Sequence, residues 1–407
     1  MNNFWDLVRF EYKKIYMKKS TWIAMVLFVV GIVFSCFGVI IGNEYVDGIP
    51  VRSHYESMKI DREYDRALAG KEINADLIMD AAKAYQNVPV GDTIRYTETN
   101  EYQTHARAYS SIYGIIRTIY NKTAVPVFGY EELQNISPEM AGSFYNYRSS
   151  KIKETIEKSS VSNQVKEKLI TLDKKVVKPF VFEYYGGYDR FLVLMYTTGL
   201  ICAFIIPFLI APIFSGEYQG CDQIILSTKN GKNTLIKAKL FTGFSVTTGL
   251  VIAGILLTYI PCMLIYGFDG ANTVIQLKYS LITLRLTIGK LSIICSICVF
   301  FACIVVGAIT MVLSAKLKSP FLVITIITGL IFIPMFIQAS NNILPLYRLY
   351  LLLPSSMMEY INMIDPVCYE IFGAVLQPYV VMPTVALFIS MLLTPFAYRG
   401  FKYHQVE

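Results

Sequence analysis

The chain has 407 residues, of which 54% are hydrophobic and only 16% charged, and its net charge is +7. Soluble globular domains carry about 25% charged residues, so this composition excludes an ordinary soluble protein and indicates an integral membrane one. Nucleic-acid binding is excluded as well. Residues 43–190 hold 20 Lys/Arg against 21 Asp/Glu, and the other 17 basic residues mostly flank apolar runs, which is the positive-inside pattern of membrane proteins.

Residues 1–20 read as a cytoplasmic amphipathic helix. Phe4, Trp5, Val8, Tyr12, Ile15 and Tyr16 recur near helical spacing, with Arg9, Lys13, Lys14, Lys18 and Lys19 on the polar flank. Such a helix lies in the membrane interface with its aromatic rings at headgroup depth. Trp5, Arg9, Lys13 and Lys14 are the candidate site residues of this interfacial helix. Residues 21–42 form the first span, uncharged over a length that crosses a ~30 Å hydrocarbon core.

Residues 43–190 are a polar insertion large enough for a folded extracellular domain. It reads as mainly helical. Residues 55–86 suggest one helix weakened by Gly70, and Ser137-Pro138-Glu139 has the cap, proline and early acid of a helix start. Val161, Val165, Leu169, Leu172 and Val176 make a helical stripe. Residues 87–130 carry β-branched and aromatic residues among glycines and prolines, so they read as loops or a small sheet. The insertion has no cysteine, which argues against a disulfide-stapled ectodomain. It shows no catalytic or metal-ligating spacing, so no enzyme activity, cofactor or metal is expected of this chain.

Residues 191–214 are the second span, kinked by Pro207 and Pro212. A basic loop, 215–239, follows. The third span is 240–266, with an extracellular loop at 267–290, and the fourth is 291–314, where Cys295-x-x-Cys298 reads as small apolar helix residues rather than a zinc or redox pair. Residues 315–319 form a short inner loop and 320–339 the fifth span. Residues 340–378 are broken by prolines, and their apolar stretch at 343–353 is too short to cross, so they read as two extracellular re-entrant helices, near 344–353 and 356–376. The sixth span is 379–398, and 399–407 is a cytoplasmic tail. Residues 1–20, 215–239, 315–319 and 399–407 hold 5, 4, 2 and 2 Lys/Arg, which places all four segments, and both termini, on the cytoplasmic side. The fold class expected is an all-α polytopic membrane protein of six spans.

The spans hold essentially no ionisable residue. Asp189, Arg190, Arg285 and Lys290 fall at their edges, so an ion-coupled transporter with its own mid-membrane site is disfavoured. Gly231-Lys232-Asn233 lacks the remaining residues of a P-loop. Energy for uphill transport would have to come from another chain.

This layout resembles the permease subunit of an ABC-2 type exporter over nearly the whole chain. In sequence the resemblance rests on Glu217, Gly220, Leu226, Ser227, Lys229 and Lys239-Leu240, similar to that family's E-x-x-G…L-x-[ST]…K-L pattern. Lys229 to Lys232 depart from the proline and arginine that many relatives carry. The resemblance implies a homo- or heterodimeric permease pair in a bacterial cell membrane. It also implies cytoplasmic ATP-binding cassette ATPase subunits that hold ATP and Mg, and a short coupling helix in the 215–239 loop. Glu217, Gly220, Ile224, Ile225, Leu226, Lys229 and Lys232 are its candidate ATPase-coupling residues. Cargo would be a peptide, an antimicrobial, a lipid or an ion. The competing expectation is a membrane sensor with a ligand-binding ectodomain.

Overall fold

The computed structural model describes residues 3–91, 95–121, 128–218, 233–337, 339–340 and 343–403. In chain order the longer helices are α1 (Asn3–Tyr16), α2 (Lys19–Phe37), α3 (His54–Leu68), α4 (Ala75–Tyr85), α5 (Ser110–Tyr120), α6 (Phe144–Lys158) and α7 (Asn163–Lys174). They continue with α8 (Gly186–Ile210), α9 (Thr234–Tyr266), α10 (Ile288–Lys316), α11 (Pro320–Phe336), α12 (Leu344–Leu351) and α13 (Pro378–Lys402). Two antiparallel hairpins, β1 (Asn43–Val46) with β2 (Ile49–Ser53) and β3 (Tyr369–Ile371) with β4 (Ala374–Leu376), are the named strands among the described residues.

Among the described residues five helical segments are long and apolar enough to cross a membrane: Lys19–Ile40, Gly186–Ser215, Thr234–Tyr266, Ile288–Lys316 and Pro378–Lys402. The remaining apolar helix, α11, has 17 residues. That is roughly 26 Å of helix, just under a hydrocarbon core. Ser319 caps its start and the chain turns extended at Ile337, three residues after Pro334.

The chain divides into two compact units. One comprises Met1–Cys36, Leu192–Pro261 and Ile293–Glu407, the other Phe37–Phe191 and Cys262–Ser292. In the first, apolar unit, helices approach closely wherever small residues allow it. A Cβ on Gly254 of α9 would lie 2.9 Å from the Cys202 sulfur of α8 and 3.3 Å from the Phe28 ring of α2. Thr198 and Thr258 share a hydrogen bond of 2.6 Å across the same seam, satisfying both hydroxyls where no water reaches.

Two expectations for this unit need correction. Residues 356–376 do not form one re-entrant helix. After α12 the chain makes single helical turns at Pro354–Met357 and Tyr360–Met363, then the β3–β4 hairpin. Phe372 and Gly373 both take positive φ, 48° and 79°, the two-residue turn that matches strand twist. The helix over the expected third span is also longer than that span: it begins at Thr234 and so includes Lys239, which the basic-loop reading had placed before it.

The second, polar unit is mainly helical, as expected, but opens with the β1–β2 hairpin. Asp47 and Gly48, at φ 47° and 77°, form an Asp-Gly turn of the same type. Ser53 then caps α3 in a reciprocal box with Glu56. Residues 55–86 are two helices rather than one, because the chain leaves α3 through Gly70 at φ 84°. Ordinary side chains resist that conformation, so the glycine ends a helix instead of weakening it. Residues 87–130, expected to be loops or a sheet, contain helical turns and α5, whose Ile112, Ile115, Ile116 and Ile119 enter the core. The expected starts at Ser137 and of the 161–176 stripe are present: Ser137 accepts from Met140 N, and Val165 and Leu169 of α7 are buried. The core gathers Ile78, Tyr85, Ile116, Phe144, Phe180 and Phe182. Arg148 of α6, fully buried, donates to Asp173 Oδ1 at 2.8 Å and to the carbonyls of Ser280 and Ile282.

Candidate functional site

The sequence of α1 places Val8, Glu11 and Ile15 on one face, and all three are buried. An acid within an apolar stripe is costly unless a cation meets it. The cation is Lys239, in the second turn of α9 and without solvent exposure. Its ammonium donates to Glu11 Oε1 at 3.1 Å, Glu217 Oε1 at 2.6 Å and the Ile213 carbonyl at 2.8 Å, which uses all three of its protons. Lys14, one turn beyond Glu11, donates to the same Glu217 oxygen at 2.6 Å and lies 3.4 Å from Glu11. Two acids and two bases thus form a neutral quartet holding three segments: α1, the chain entering the 219–232 stretch, and the start of α9. Burial works against the Lys14 charge, but the Glu11 and Glu217 carboxylates more than offset it and hold its pKa above the ordinary value.

Glu217 is delivered by a break in the helix. Pro212 restarts a short turn, and the freed Phe214 and Ser215 amides donate to Ser314 Oγ of α10, each at 3.2 Å. Tyr218 adds a hydrogen bond to the Ala315 carbonyl at 2.6 Å. The orphan donors that a proline leaves are therefore satisfied by a neighbouring helix, and Glu217 points back at α1.

Aromatic contacts complete the docking of α1. Phe4 and Trp5 meet Phe241 of α9 edge to face, with ring centres 6.0 and 5.5 Å apart, and Tyr12 is hydrogen-bonded to Ser245. Thr21 and Trp22 of α2 donate to the carbonyls of Ile15 and Tyr16, fixing the corner between α1 and α2.

Of the residues singled out from sequence, Glu217 and Lys14 are brought together here. Trp5 packs beside Phe241 while keeping half its surface exposed, and Arg9 and Lys13 point outward on α1. Gly220, Ile224, Ile225, Leu226, Lys229 and Lys232 lie outside the described residues. Glu11 was not anticipated, and Lys239 was noted only within the loop's resemblance, not as a buried partner. The available signal was an acid at an apolar position of a helix whose net charge is basic.

A second charged cluster lies in the polar unit. Arg107, buried at the start of the segment leading into α5, donates to Glu44 at 2.9 Å, Asp61 at 2.6 Å, Gln103 at 2.6 Å and the Ser57 carbonyl at 3.0 Å. Burial opposes the Glu44 charge, but the guanidinium prevails and keeps its carboxyl below the usual range. This cluster borders a polar cavity of about 320 Å³. A second cavity, about 450 Å³, shares His54, Ser57 and Asp61 with it.

Compared with known proteins, the chain matches no family model, no curated protein and no solved structure.

Proposed function

We propose that this chain is the membrane-spanning subunit of an ATP-driven exporter, taking its energy from a separate ATPase that binds ATP and Mg. In this reading α11 is the fifth of six spans, both termini are cytoplasmic, residues 43–190 lie outside, and a second permease copy or homologue completes the path. The supporting observation is the Glu11–Lys14–Glu217–Lys239 quartet. It ties an amphipathic helix and the entry of a basic loop to the start of an apolar helix. A push on loop or helix is carried to α9, because separating any member leaves a buried charge uncompensated. The test is purification of the tagged full-length chain from its native membrane. ATP hydrolysis that depends on this chain supports the reading; a chain that purifies without any nucleotide-hydrolysing partner sinks it.

The alternative is a membrane sensor with a ligand-binding ectodomain, and the two cavities beside Asp61 favour it. Ligand binding in the ectodomain without any ATPase association would select that reading instead.

A further inference from the structure

The 450 Å³ cavity lies wholly within the polar unit; α3 supplies one side of it, and half of its lining comes from residues at the ends of three membrane-length helices. Val39 and Ile40 close the first candidate span, Gly186 to Arg190 open the next, and Tyr266 ends the third. Such positions sit at headgroup depth, where side chains with an apolar body and a polar tip collect. The volume falls within the ~300–1,000 Å³ usual for small-molecule sites. Its wall is mostly apolar, with Ile40, Met58 and the Tyr184 and Tyr266 rings on it.

The charges on that wall are unequal in their compensation. Asp61 is engaged by Arg107, and Asp189 by Lys278. Nearby Arg66 is paired with Asp269. Arg62 is different. Its guanidinium donates once, to the Ile265 carbonyl at 3.2 Å, and among the described residues no carboxylate lies within ion-pair distance. Its Nε is buried without a hydrogen-bond partner. A guanidinium held by one carbonyl retains several donors in a planar fork suited to phosphate.

We propose that this cavity seats an anionic phospholipid, its phosphate on Arg62 beside Arg190 and the upper part of its acyl chains against Ile40 and Met58. The apolar wall distinguishes this occupant from a free anion, and the uncompensated arginine distinguishes it from a neutral amphiphile. The inference needs the three helices to span a bilayer but no ATPase, so it stands or falls separately from the exporter reading.

The test uses the full-length chain in detergent, with lipid retention followed by native mass spectrometry. The probes are dioleoylphosphatidylglycerol, dioleoylphosphatidylcholine and inorganic phosphate. The expected result is retention of the anionic lipid about ten-fold tighter than the zwitterionic one, the usual worth of one charge-assisted contact. Arg62→Gln removes that preference, Arg62→Lys restores part of it, and Met58→Trp, which fills the cavity but keeps the charge, lowers retention of both lipids. Equal retention of the two lipids by the unaltered chain overturns the proposal. So does unchanged retention in Arg62→Gln, or inorganic phosphate competing as strongly as the anionic lipid. If Arg62→Gln fails to fold, Met58→Trp decides: lost retention supports the site and unchanged retention overturns it.

Discussion

The two charged clusters use the same chemistry to different ends. In the apolar unit, Glu11, Glu217 and Lys239 have side-chain exposures of 2%, 8% and 0%, and Lys14 covers the remaining edge. In the polar unit, Arg107 is equally buried at 3%, but its partner Asp61 is 49% exposed and borders both cavities. A closed network is held together because Glu11, Glu217 and Lys239 have almost no water to fall back on, and only Lys14 at its edge reaches solvent. An open one positions a rim, and its acids can hydrate when a partner leaves. Burial of the partners, rather than the number of ion pairs, separates a clamp from the lining of a site.

Removing the centre of the closed network should have the largest effect. Lys239→Met leaves Glu11 and Glu217 with one lysine between them, at an expected cost of about 3–5 kcal/mol. The loss is measurable as a lowered thermal midpoint in detergent and as proteolytic release of α1. The double variant Lys239→Met/Glu217→Gln restores neutrality and should regain much of the loss. If the double variant is no better than the single, the quartet is not the unit that holds α1.

The open network should be more forgiving. Arg107→Met strands Glu44 and Asp61, but water reaches Asp61, so roughly 1–3 kcal/mol is expected. The same thermal assay ranks the two substitutions directly. A loss at Arg107 equal to that at Lys239 would erase the distinction between clamp and rim.

The most gradual effect concerns pH. Burial, reinforced by the Asp61 charge and opposed by a hydrogen bond with Ser111, pushes the Asp65 carboxyl up to about 6. An unfolded Asp titrates near ~3.9, so between these values the folded chain binds more protons than the unfolded one. Stability should therefore fall as pH rises from about 4 to 6 and level off above, by no more than about 2–3 kcal/mol. Asp65→Asn should flatten that slope in a thermal melt series; a slope unchanged by the substitution removes Asp65 as its source.

Much of the architecture was legible because it follows from short-range pattern. The apolar runs mark the long helices, and Ser137-Pro138-Glu139 and the Val165–Leu169 stripe mark helices by their caps and spacing. The Asp47-Gly48 turn was equally open to reading, as a two-residue hairpin signal, but was masked by the helical character of the residues beyond β2. Phe372 was not legible, since a bulky residue at positive φ is rare in any sequence pattern. The quartet was half legible. Glu217 stood out through the loop's resemblance, whereas Glu11 and Lys239 are 228 positions apart, and only the packing of α1 on α9 reveals them as partners. Gly187 makes the same point. A Cβ there would sit 2.1 Å from the Gly267 carbonyl oxygen, a requirement set by a segment 80 positions away.

The most direct test of the coupling account is ATP hydrolysis by the complex purified from native membranes, with and without Glu217→Gln. The account predicts that the ATPase still co-purifies while its chain-dependent activity, or the transport it drives, falls several-fold, because the push no longer reaches α9 through the quartet. Unchanged activity in Glu217→Gln, or a chain that never carries an ATPase, would contradict it.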